Sequence, residues 1–193
     1  MEINGRAAIV VPDNVLFEGG AGETVRTNLL KQCDVHTLLR LPTGIFYAQG
    51  VKANVLFLEN KPAQEKPWTK KLWVYDLRTN MHFILKTNPI KRADLEEFVK
   101  LYKPEDPREK RRENWSEEEG KRGKSPDGRW RSFTYDEIIK RDKANLDIFW
   151  LKDDSLEDSE NLPDPEILAQ EIADDLQTAL NHFASIAAEL TAD

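Results

Sequence analysis

Short apolar runs of strand length, with one amphipathic segment between the first two, constrain this chain most. Arg6-Ala7-Ala8-Ile9-Val10-Val11-Pro12 is a continuous apolar run closed by Pro12-Asp13-Asn14. Such a run, without an alternating polar face, reads as a strand buried on both faces, as in a parallel sheet. Glu18-Gly19-Gly20-Ala21-Gly22 is a loop, and residues 23–31 place Val25, Leu29 and Leu30 at helical spacing. Val35 to Leu41 is a second strand, Leu41-Pro42-Thr43-Gly44 breaks it, and Val51 to Leu58 is a third. Strand, helix, strand, loop, strand is an α/β pattern.

Residues 62–71 then read as an exposed loop, and Leu72-Trp73-Val74-Tyr75-Asp76-Leu77 as another strand on its aromatic and β-branched content. Leu95, Phe98, Val99 and Tyr102 recur at helical steps behind an acidic first turn. The compact α/β region is therefore expected to span residues 1–102. Residues 103–131 are charge-dense and interrupted by Pro and Gly, which predicts a mobile or partly ordered connector. Residues 132–193 form a helical C-terminal region: Thr134 and Glu137 have capping-box spacing, and residues 145–151 form an apolar cluster suited to docking on the main domain. Asp164-Pro165 then opens a long helix. Its apolar stripe, including Ile172, Leu176, Leu180 and Phe183, runs over roughly 26 residues or about 39 Å. A terminal helix of that length must bury its stripe, against its own domain or a partner's helices.

The formal charge of −7 hides a strong segregation. Residues 1–100 carry 14 Lys/Arg against 11 Asp/Glu, residues 101–150 carry 13 against 12, and residues 151–193 carry 1 against 12. The first 150 residues can approach a polyanion, which the last 43 would repel. No stretch approaches the roughly 20 apolar residues that span a bilayer, and the N-terminus carries no secretory signal, so a cytoplasmic protein is expected. The single cysteine, Cys33, reads as a small buried hydrophobe, and three histidines without ligand spacing predict no structural metal.

Composition and spacing alone show no catalytic constellation. Gly19-Gly20-Ala21-Gly22 lacks the spacing of a nucleotide fingerprint. The basic residues of the connector, Lys121, Arg122, Lys124, Arg129 and Arg131, alternate with Glu117, Glu118 and Glu119 and read as a solvated charged loop.

Longer blocks carry a resemblance. Residues 5–17, Leu39-Arg40-Leu41-Pro42-Thr43-Gly44-Ile45-Phe46, residues 50–58, Phe133-Thr134-Tyr135, residues 145–153 and Leu162-Pro163-Asp164-Pro165 follow one another in an order and spacing similar to the modification subunits of type I restriction systems. These are N6-adenine-specific DNA methyltransferases. The resemblance covers essentially the whole chain. It implies the C-terminal part of a Rossmann-like S-adenosylmethionine-dependent sheet, its last strands including a hairpin, followed by a helical arm.

In that family S-adenosylmethionine sits on a glycine-containing loop after the first strand, and an Asn-Pro-Pro-Phe/Tyr motif follows the fourth. Neither occurs in this chain: Asn88-Pro89 continues as Ile90-Lys91 and follows the hairpin blocks. The resemblance therefore implies a C-terminal fragment, inactive alone, that binds no cofactor. Phe46 matches a hairpin aromatic that packs against the flipped adenine, the alternative being a core aromatic; Gln49 matches a DNA-facing position, the alternative being a water-facing loop residue. Stacking of a base on an aromatic is worth about 1–3 kcal/mol. The implied partners are DNA and the specificity and restriction subunits, the terminal helix joining the specificity subunit's bundle; a non-enzymatic assembly module working through that helix is the alternative function. An open edge at residues 6–12 would also invite self-association or be covered by later segments.

Overall fold

A computed structural model describes residues 2–47, 50–103, 107–118 and 124–153, with four further positions at 173, 176, 177 and 180. The chain divides into two compact units, Met1–Lys152 and Asp153–Asp193.

The first unit is built on a five-stranded sheet: β1 (Arg6–Pro12), β2 (Cys33–Arg40), β3 (Ala53–Asn60), β4 (Lys71–Asp76) and β5 (Trp130–Thr134), in spatial order β1-β3-β2-β4-β5. β2 and β4 are parallel, whereas β3 is antiparallel to both β1 and β2, and β5 is antiparallel to β4. Thus β1, β2 and β4 run one way, and β3 and β5 the other. Helices α1 (Ala21–Gln32), α2 (Glu96–Tyr102) and α3 (Tyr135–Ile139) complete the regular structure, with short 3₁₀ turns between.

The pleat sends alternate residues to opposite faces. Leu38, Leu56, Leu58, Leu72 and Val74 join Leu16, Leu30, Ile138 and Leu146 in one cluster. Leu39, Trp73, Tyr75 and Trp130 join Phe98 of α2 in the other. The capping box of α3 forms as expected, the Thr134 hydroxyl accepting from the Glu137 amide and the Glu137 carboxylate accepting from Thr134 N–H. Residues 145–151 also dock: Leu146 and Ile148 are buried.

Three features depart from the sequence expectation. β1 has the expected bounds but forms an edge, and Ile9 and Val10 are 46% and 61% exposed rather than buried on both faces. A continuous apolar run reports what a strand is compatible with, and among the described residues only β3 pairs with it. Along α1, Val25 is exposed and Arg26 is buried in its place. Arg26 is held there by the carbonyls of Val15, Glu18 and Lys143 at 2.6–2.8 Å, a fork that a valine cannot supply. Thirdly, the sheet does not end before residue 102, because β5 adds a strand on β4 and its Trp130 is wholly buried, stacked on Trp73 at 5.3 Å. The charged stretch before β5 is also structured where it is described: Arg111 is buried, and Glu113 accepts from the Ser132 amide and hydroxyl.

In the second unit Ala173, Leu176, Gln177 and Leu180 are helical. Leu176 and Leu180 are exposed, while Ile172 and Phe183 lie outside the described residues.

Candidate functional site

The loop between β2 and β3, residues 41–52, leaves the end of the sheet at which β2 and β4 finish. Phe46 sits on it half-buried, followed by the fully exposed ring of Tyr47; Gln49 lies outside the described residues. Gly44 sets the loop's path. Its φ is +80°, and a Cβ there would collide with the Phe83 carbonyl, so only glycine passes. Gly44→Ala should cost about 2 kcal/mol of stability and shift the backbone amide resonances of Ile45 to Tyr47. Urea denaturation and amide spectra that match the parent protein would contradict this.

Beneath the loop lies a charge network. Arg40, wholly buried at the end of β2, pairs with Asp147 and donates to the Ile148 carbonyl at 2.8 Å. Asp13 stands 3.7 Å from Arg40, 3.3 Å from Arg78, and accepts from the Asn54 amide at 2.9 Å. Arg78 approaches Asp147 at 3.6 Å, and both guanidiniums lie over the Phe149 ring, 4.4 and 4.9 Å from its centre. Burial lowers the Arg40 pKa and adjacent Arg78 adds to this, while Asp147 opposes both. Asp76 closes the same end by accepting from the amides of Arg78 and Thr79.

Asp13, Arg40, Asn54 and Asp147 come from four of the sequence blocks that carry the family resemblance, residues 5–17, 39–46, 50–58 and 145–153. The network is thus where those blocks meet, and it fixes the base of the loop that presents Phe46. None of these four was singled out from sequence; the signal available was that each block contains a charged or amide residue among apolar neighbours.

Known proteins decide the family. The N-6 DNA methylase family model matches residues 1–149. The chain belongs to the N-6 DNA methylase family. It is 43% identical to the type I restriction enzyme StySJI methylase subunit of Salmonella typhimurium and 43% identical to the EcoKI methylase subunit of Escherichia coli, in each case over 97% of this chain. It spans 39% of the length of each of those relatives. The crystal structure of the type I restriction enzyme EcoKI M protein matches 97% of this methylase-family chain and 41% of its own, with a TM-score of 0.64 at 40% identity. A chain from a structure of type I R-M complex assembly and conformational transition matches at 0.57 and 26% identity, over 37% of that chain.

S-adenosylmethionine is the cofactor that membership in this family implies for the complete enzyme; in this chain the glycine-rich loop is held by local contacts. The Arg26 guanidinium takes the Glu18 and Val15 carbonyls behind the loop, and Lys143 packs on Gly19 at 3.1 Å from where a Cβ would stand. The Asn88 amide likewise donates to the His82 carbonyl within a tight turn, so Asn88-Pro89 serves local structure.

A second feature faces the opposite end of the sheet. His36 is the extra residue of a bulge in β2, between Val35 and Thr37. It is buried near Phe57 and Tyr102. Burial, then Arg108 and Arg111, hold its pKa down at about 3, against an opposing pull from Glu59. The folded state keeps this ring neutral while the unfolded chain protonates it near pH 6.5, so its contribution to stability is present above 6.5 and lost as pH falls toward 3. Between pH 7 and pH 5 the expected loss is about 2 kcal/mol. His36→Gln should remove that increment from the pH profile of urea unfolding; parallel profiles for the two proteins would contradict it.

Proposed function

We propose that this chain works as the C-terminal portion of a type I modification methyltransferase, which transfers a methyl group from S-adenosylmethionine to adenine N6 in DNA. The convergence of four family-like blocks on the Arg40 network, beneath the Phe46 loop, carries this reading. Methyl transfer to a base inside a duplex requires extruding it and holding it against the donor. Phe46 packs against the extruded adenine, and Gln49 faces the DNA strand. The chain supplies the last strands of a Rossmann-like sheet, including the β2–β3 hairpin; cofactor binding and amino-group chemistry belong to the remainder of the subunit. In that assembly the rest of the sheet covers the edge and apolar side chains of β1, and in the chain alone the same edge favours self-association.

The terminal segment, whose sequence spacing puts Ile172, Leu176, Leu180 and Phe183 on one apolar stripe, joins the specificity subunit, beside which the restriction subunit assembles. The subunit acts in the cytoplasm; among the described residues no helix is long and apolar enough to cross a membrane. Calorimetry of the 193-residue chain with S-adenosylmethionine should give no heat of binding, and micromolar affinity would overturn the division of labour. Deleting residues 164–193 from the complete subunit should weaken co-purification of the specificity subunit, and undiminished co-purification would contradict the helix assignment.

A further inference from the structure

At the starting ends of β2 and β4, roughly 20 Å along the strands from the Phe46 loop, the sheet opens into a cleft of about 680 Å³. It is lined by Trp73 of β4, by the half-buried Trp68 and by the segment around the 3₁₀ turn Arg108–Lys110. Seven lysines and arginines line it against three carboxylates.

Two of its three carboxylates are committed, while Glu109 is exposed on the 3₁₀ turn with no ion pair among the described residues. Asp34 pairs with Arg108 at 3.0 Å, and Glu59, at the rim, holds Arg108 at 3.2 Å and Lys61 at 2.8 Å. Glu113 is taken by Lys124 and by the Ser132 amide and hydroxyl. Among the described residues no carboxylate pairs with Lys70, Lys71, Arg111 or Arg112. Lys70 and Lys71 are exposed side by side where β4 begins.

Arg111 is the most telling. It is 97% buried (3% exposed), lies over the Tyr102 ring at 4.5 Å, and donates to the Thr37 hydroxyl at 3.0 Å. Its Nε has no hydrogen-bond partner. A buried guanidinium with no carboxylate at ion-pair distance among the described residues is costly to keep; burial lowers its pKa, and Tyr102 and the longer-range charge of Asp34 oppose that only in part. An anion in the cleft would offset that cost, whereas the Asp34 and Glu59 charges are already balanced by Arg108 and Lys61.

We propose that this cleft is a phosphate-binding site for a nucleotide, its phosphates held by Arg111, Arg112, Lys70 and Lys71 beside the Trp68 ring. Phosphate oxygens accept from guanidinium forks and ammonium groups, and the volume suits one nucleotide. The nucleotide can be free or one unit of a strand. The site shares no residue with the Phe46 loop and stands independently of the function proposed above.

Titration of the 193-residue chain at low salt with inorganic phosphate, adenosine 5′-triphosphate and a twelve-nucleotide single strand tests this, by calorimetry and by the imidazole resonances of His36. Saturable binding is expected, with the His36 resonances shifting and affinity falling at least tenfold in the Lys70→Gln/Lys71→Gln double variant, whose exposed side chains leave the fold intact. Phe46→Ala should bind as the parent chain does. Equal affinity for the free nucleotide and the strand identifies a mononucleotide site; at least tenfold tighter binding of the strand identifies a polynucleotide contact. No binding of any of the three at millimolar concentration, or affinity unchanged in the double lysine variant, would overturn the proposal.

Discussion

Asp147→Ala should lower the stability of the chain to urea by about 3 kcal/mol. Arg40 is wholly buried, and Asp147 is the carboxylate in direct contact with it; Asp13 stands further off at 3.7 Å. Removing Asp147 leaves a buried guanidinium with Asp13 at 3.7 Å, the longer-range charge of Asp76 and the Ile148 carbonyl. That residual support, and the 18% exposure of the Asp147 side chain, place the cost at the lower end of the range for breaking a buried pair. Asp147→Asn keeps an acceptor oxygen and should cost roughly half as much. Removing both charges, as Arg40→Met/Asp147→Ala, should recover part of the loss, because the stranded charge is gone. A loss below about 1 kcal/mol for Asp147→Ala would show that the network does not hold this end of the sheet.

The strands were legible where their residues announce themselves. β2, β3 and β4 are central strands, and their Leu, Val, Trp and Tyr content matches their burial. β5 was not legible: Trp130 is its only buried residue, and Arg131, Ser132 and Thr134 look like the charged stretch before them. Its partner strand, not its own composition, makes it a strand. The burial of Arg26 is hidden for a related reason. Helical spacing ranks Val25 as the core residue, but backbone carbonyls from residues 15, 18 and 143 create a site only an arginine fills.

The candidate site divides in the same way. Phe46 could be named only through the resemblance of its block to the family's hairpin motif, which lies within one segment. The Arg40 network could not, because Arg40 and Asp147 stand 107 positions apart and charge pairing at that separation leaves no local pattern. The basic cleft was hidden similarly, since Lys70, Lys71 and Arg111 come from segments that each read as solvated.

Phe46 carries the second large expectation. If it stacks on the extruded adenine, its ring contributes about 1–3 kcal/mol, and the Gly44 turn and the Arg40 network hold it in place. In the complete subunit assembled with its specificity partner, Phe46→Ala should then slow methylation by about tenfold to a hundredfold. Phe46→Tyr, which keeps the ring, should remain close to the parent enzyme. The stability of the fold should change little, because the ring is only half-buried. The decisive measurement is the fluorescence of 2-aminopurine placed at the target adenine, followed together with methyl transfer in the same assembled enzyme. A bright, extruded base with the parent protein and a loss of both signals with Phe46→Ala is the predicted result; unchanged fluorescence and unchanged methylation would contradict the placement of this chain at the target base.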